Sequence, residues 1–130
     1  MQLLKATFDV ECVATGSFPE VKKPTDKIVQ MGTSFYKDGK CYYRHIVRIG
    51  ICSEIKNIDL KYCETEEQLL TEWIRMMKKN CPDFISCYSG FDNEYLLNRA
   101  KLLNCNSEFN NFFNNYELQQ MLYVRKNTQL

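Results

Sequence analysis

The stretch from Leu4 to Cys12 constrains this chain more than any other. Leu4, Ala6, Phe8 and Val10 alternate along it with Thr7, Asp9 and Glu11. Strand side chains repeat every two residues, so the run reads as a β-strand with one apolar face and one polar face. Asp9 and Glu11 then point the same way, with Cα atoms roughly 6.5 Å apart. Carboxylates that close can hold a divalent ion between them, or two ions about 4 Å apart, as in phosphodiester-cleaving sites. Asp-x-Glu is a common tripeptide, however, and taken alone a wet strand face accounts for it more simply.

The rest of the chain supplies the elements around that strand. Gly16, Pro19 and Pro24 mark a loop from Cys12 to Thr25. A second strand is expected from about Lys27 to Tyr36 and a third from about Cys41 to Ile49. The Asp38-Gly39 pair between them supplies the positive φ angles of a tight hairpin. Gly50 to Tyr62 fits either a short strand or an irregular loop. Thr65-Glu66-Glu67-Gln68 is a capping box, with the Thr65 hydroxyl able to accept from the Gln68 amide. The helix that follows carries Leu69, Leu70, Trp73, Ile74 and Met77 on one stripe, and Pro82 ends any continuation. Phe84 to Cys87 reads as a short buried strand, and Asn93 to Leu103 as a second helix with Leu96, Leu97, Ala100 and Leu103 inward.

The order β-β-β-α-β-α is that of an α/β, ribonuclease-H-like fold. A helical crossover joins parallel neighbours, so the last strand should run parallel to the first and end at the same edge. Open α/β sheets place their sites at that edge. Residues 1–103 are read as a partial domain of this kind. Residues 104–130 are read as an Asn-rich tail: loop or frayed chain over Asn104 to Asn115, one helix over Tyr116 to Val124, and disorder from Arg125.

With 130 residues the chain suits one domain with a modest core, and a net charge of +1 gives no broad basic field for nucleic acid. Contact with DNA would therefore be local. Lys22, Lys23 and Lys27 read as a solvated loop. The 7 cysteines are odd in number and lack a Cys-x-x-Cys, which argues for reduced, mostly buried thiols rather than disulfides or zinc. His45 is the only histidine and reads as structural or surface. No apolar run approaches the roughly 18 residues that span a membrane. The N-terminus does not read as a signal peptide, and the expected location is the cytoplasm or nucleus.

Phe8-Asp9-Val10-Glu11, then Phe18-Pro19, then Pro24-Thr25-Asp26-Lys27-Ile28-Val29-Gln30-Met31-Gly32 stand in order. Together they resemble the first exonuclease motif of the family B DNA polymerases. Gly90-Phe91-Asp92-Asn93-Glu94-Tyr95-Leu96-Leu97-Asn98-Arg99-Ala100 resembles the second, although the family's Tyr-Asn-x-x-x-Phe-Asp is here the shorter Tyr88-Ser89-Gly90-Phe91-Asp92. Alone, Asp92 also suits a helix N-cap. No Tyr-x-x-x-Asp of the third motif follows it, and the polymerase motifs Asp-Thr-Asp and Ser-Leu-Tyr-Pro do not occur.

The resemblance implies the incomplete exonuclease domain of a viral family B polymerase. Its reaction would be 3′→5′ hydrolysis of a single-stranded DNA end with two Mg²⁺ or Mn²⁺ ions. Asp9, Glu11 and Asp92 would be metal-holding catalytic acids, and Phe18, Tyr88 and Phe91 would offer stacking to the terminal base. The remaining polymerase segment is an expected partner, and without it the chain is expected to be nearly inactive. A stand-alone exonuclease of the wider DEDD class, a non-catalytic DNA-binding or assembly module and the product of a broken gene remain the alternatives.

Overall fold

A computed structural model describes residues 3–87, 90–120 and 122–126, with the side chain of Phe91 outside the described set. The elements run β1 (Leu4–Cys12), β2 (Ile28–Lys37), β3 (Lys40–Ile49), β4 (Asp59–Cys63), α1 (Glu66–Asn80), β5 (Phe84–Cys87), α2 (Gly90–Leu102), α3 (Asn106–Phe113), β6 (Tyr116–Gln119) and β7 (Leu122–Arg125). The strands form one sheet in the order β4-β3-β2-β1-β5-β7-β6. β1 is central, antiparallel to β2 and parallel to β5. The expected crossover is therefore present, and β1 and β5 end at the same edge. This is the α/β architecture of the ribonuclease-H-like fold.

Local chemistry explains the first half. Asp38 and Gly39 adopt φ of 52° and 77°, so the β2–β3 hairpin closes through the pair named from sequence. Thr65 is extended at the N-cap of α1 and accepts from the Gln68 amide at 3.2 Å. Cys81 ends that helix in the left-handed region, donating its amide to the Met77 carbonyl. The uncertain stretch after Gly50 resolves as a loop followed by β4, which lies parallel to β3.

All three helices pack on the Ala6, Phe8 and Val10 face of the sheet. The Trp73 ring lies 5.1 Å from Phe8, and its Nε1 donates to the Thr33 hydroxyl at 2.9 Å, so the largest core side chain leaves no polar atom unpaired. His45 is buried on this same side, in keeping with a structural role.

The tail departs from expectation. Asn106–Phe113 is helical despite its asparagines. Phe109, Phe112 and Phe113 fall at i, i+3 and i+4, with Phe109 and Phe113 stacked near Trp73 and Asn110, Asn111 and Asn114 left in solvent. Burial of aromatic area outweighs the weak helix propensity of Asn. Instead of a helix, Tyr116–Gln119 and Leu122–Arg125 form the antiparallel pair β6 and β7, because β5 offers an otherwise unpaired edge and β7 pairs antiparallel with it. Tyr116 donates its hydroxyl to the Pro82 carbonyl at 2.6 Å, and Arg125 forms an ion pair with Asp83. Arg125 is thus ordered in β7, while residues 127–130 lie outside the described set.

Candidate active site

The polar face of β1 is the face without helices. Asp9 and Glu11 are both exposed there, and among the described residues no hydrogen bond or ion pair reaches either carboxylate. Asp9 stands opposite Gly32 of β2. A Cβ on Gly32 would come within 3.1 Å of Asp9 Oδ1. Gly32 has an ordinary backbone conformation, so glycine at this position serves clearance rather than a turn. Asp9 and Gly32 border a cleft of about 510 Å³ that also includes Ser34, Arg44, Ile46 and Ser86. Arg48 follows Arg44 on β3 by four residues, and its Nε is buried without a hydrogen-bond partner.

Asp92 belongs to the first turn of α2. The helix already includes Gly90, so Asp92 sits inside the first turn rather than at the N-cap considered from sequence. It is 7% exposed. Two thiols register where it lies. The Cys12 thiol, just beyond Glu11, is pushed up to about 12 by burial and then by the negative charges of Asp92, Glu66 and Asp26. Burial also raises Cys87 at the end of β5, with Asp92 adding to it and the amides of Cys87 and Asn93 opposing. Asp92 therefore lies near the shared end of β1 and β5, as the parallel pairing requires. The 7 cysteines are free, and against the mostly buried thiols read from sequence none is fully buried, and Cys41 and Cys81 are exposed.

Among the described residues no three of His, Cys, Asp and Glu stand close enough to enclose a metal ion. Asp9 and Glu11 share a strand face; the structure does not join Asp92 to them in one such group. The pair alone suits a hard divalent ion, since both offer oxygen donors on an open face with room over Gly32. Of the other site residues foreseen, Phe18 is 77% exposed at the tip of the β1–β2 loop. Tyr88 and the Phe91 side chain lie outside the described residues.

Four residues that lie within the quoted motifs and the capping box, but were given no site role from sequence, carry weight around this site. Arg99 and Glu66 form a buried, bidentate ion pair, Nε to Oε2 at 2.7 Å and Nη2 to Oε1 at 2.9 Å, with side-chain exposures of 1% and 2%. Arg99 also donates to the carbonyls of Val21, Lys23 and Pro24, and the Ile28 amide donates to Glu66. Burial works against the charge on Arg99, but Glu66 outweighs it and holds the guanidinium above its ordinary value. Tyr95 donates its hydroxyl to the Asp26 carbonyl at 2.5 Å. The Asp26 carboxylate accepts from the amides of Thr15 and Glu20 and from the hydroxyls of Thr15 and Thr25. Burial would raise that carboxyl, yet the Glu20 and Thr15 donors, helped by Lys23, hold it below the usual range. The available signal in sequence was Arg99 itself, a charge two turns after Asp92 on a helix with an apolar stripe.

This fold, with paired acids at the centre of the sheet and a third on the following helix, defines a nuclease-like α/β domain. The sequence profile described as DNA polymerase family B, exonuclease domain, matches residues 2–128. The chain belongs to that family. It is 34% identical over 97 residues to a DNA polymerase of Acanthamoeba polyphaga mimivirus, covering 71% of this chain and 6% of that protein. With a DNA polymerase of Pyramimonas orientalis virus it shares 33% identity over 84 residues, 62% of this chain and 7% of that protein. With the DNA polymerase delta catalytic subunit of Candida albicans the identity is 34% over 105 residues, 77% of this chain and 10% of that protein. The chain thus spans a tenth or less of these relatives. Exonuclease domains of this family generally depend on divalent metal.

Proposed function

We propose that this chain supplies the first two motifs of a 3′→5′ proofreading exonuclease site that acts on a single-stranded DNA end. The observation that carries the reading is the close approach of Asp9 to a backbone kept bare at Gly32, on the open face and in the cleft. Asp9 and Glu11 would hold a Mg²⁺ or Mn²⁺ ion, and Asp92 would contribute to a second. Bound ions of this kind stabilise charge on the attacking and leaving oxygens of a phosphodiester. The chain's own residues orient the strand: Phe18 offers a ring to the terminal base, with Tyr88 and Phe91 as further stacking candidates. The remaining polymerase segment is the partner that would complete the site. Burial of Asp92, with no metal-holding group of three found among the described residues, is the feature that favours a non-catalytic DNA-binding module.

Mn²⁺ titration followed by electron paramagnetic resonance separates these readings. Wild type should bind the ion weakly and Asp9→Ala should not bind it. Identical curves for the two proteins would reject the metal site. In parallel, a 3′-labelled single strand with Mg²⁺ should be degraded at close to background rate, because groups displaced by about 1 Å can cost about 100-fold. Robust digestion lost in Asp9→Ala would instead identify a stand-alone nuclease.

A further inference from the structure

Phe18 is an apolar ring left 77% exposed, and a mobile loop would carry it as a loose tether. The loop is instead pinned at both ends of its course. Asp26 gathers the amides of Thr15 and Glu20, which flank Phe18 in sequence. The Lys23 amide bonds the Glu20 carbonyl, the Asp26 amide bonds the Lys23 carbonyl, and the Val13 amide bonds the Lys27 carbonyl. From outside the loop, Arg99 holds the carbonyls of Val21, Lys23 and Pro24, and Tyr95 holds that of Asp26. Both belong to α2, three and seven residues after Asp92 and on the same side of the helix. Glu66 of α1 closes the arrangement by pairing with Arg99 and accepting from Ile28, where β2 begins.

We propose that Tyr95 and Arg99 are positioning residues that hold the β1–β2 loop as a preformed ledge and so fix where Phe18 meets a nucleic-acid base. In this role they act on the loop and not on the nucleic acid. Their effect passes through backbone carbonyls to the exposed Phe18 ring. The arrangement also ties that ring to the helix bearing Asp92, so the base platform and the second acidic motif move as one body. A fixed platform binds more tightly than a floating one because less side-chain and loop entropy is lost on binding. The inference rests on Phe18 acting as a stacking residue, and it is independent of whether the acids hold metal.

The test is a double-mutant cycle on single-stranded oligo(dT) binding by the full chain, read by fluorescence anisotropy in EDTA. Phe18→Ala should weaken binding about fivefold or more, the scale of one lost base stack. Tyr95→Phe removes one hydroxyl, keeps the ring in the core, and should weaken binding by a similar factor. Adding Tyr95→Phe to Phe18→Ala should cost nothing further, since both act through the same ring. Hydrogen exchange should show faster exchange at the Thr15 and Glu20 amides of Tyr95→Phe, with the β2–β3 hairpin unchanged. Arg99→Lys, which keeps the charge and loses the fork, should fall between wild type and Tyr95→Phe in both readouts. Tyr95→Phe binding like wild type while Phe18→Ala is weakened would overturn the positioning role alone. Additive losses, or exchange accelerated throughout the chain, would mean a general structural role and would equally overturn it. Wild type failing to bind oligo(dT), or binding it as weakly as Phe18→Ala, would sink the stacking reading and this inference together, leaving the Mn²⁺ result standing by itself.

Discussion

Two neighbouring parts of this molecule handle charge in opposite ways. Beneath the β1–β2 loop, Arg99, Glu66 and Asp26 are taken out of water, and each is met by several hydrogen-bond partners. On the sheet face just before that loop, Asp9 and Glu11 stand in solvent, and the backbone opposite Asp9 has been reduced to a glycine. A buried charge needs paired, well-directed partners to be tolerated, so the first region spends its charge on holding the fold. Exposed acids with cleared space beside them hold nothing among the described residues. Their chemistry is left free for something outside it. Removing a charge should therefore damage folding in the first region and ligand binding in the second.

The largest effect is expected from Arg99→Ala. It strands Glu66 and frees three loop carbonyls, and breaking such a buried pair typically costs about 3–5 kcal/mol. Urea denaturation would measure it, and a loss below about 1 kcal/mol would erase the contrast between the two regions. A smaller and pH-dependent effect is expected from Asp26→Asn. The folded carboxyl is held below its ordinary value of 3.8, so its contribution is complete at neutral pH. It drains away as pH falls through the ordinary carboxylate range toward the lower folded value. The melting difference between wild type and Asp26→Asn should thus be constant above about pH 5 and shrink below about pH 4. A difference that widens on acidification would contradict the assignment. Gly32→Ala should alter stability by about 1 kcal/mol or less, since the atom it meets is the movable end of Asp9. It should nevertheless weaken Mn²⁺ binding by turning that carboxylate aside. The smallest effect on folding belongs to Asp9→Ala, within about 0.5 kcal/mol by thermal melting, as for other exposed positions without partners.

What the sequence determined by itself is local or short in range. Period-two alternation put Asp9 and Glu11 on one face. The Asp38-Gly39 pair closed the hairpin, and the Thr65 capping box began α1. The β-α-β order after β3 required β5 to lie parallel to β1, which brought Asp92 to the same edge as the acids. Tertiary structure decided whatever depended on a partner far along the chain. The asparagine run became helix because Phe109 and Phe113 found Trp73, and Tyr116–Gln119 and Leu122–Arg125 became strands because β5 had a free edge. Asp92 fell within the first turn of α2 rather than at its N-cap, and among the described residues it does not complete a group of three metal-holding acids. The roles of Arg99, Glu66 and Tyr95 were not legible locally, since the groups they join are 33, 69 and more than 70 residues apart. Residue spacing encodes the faces of an element through backbone geometry. A buried charge is encoded only by what the folded chain places around it, because the cost of desolvating it is settled by partners that sequence proximity does not supply.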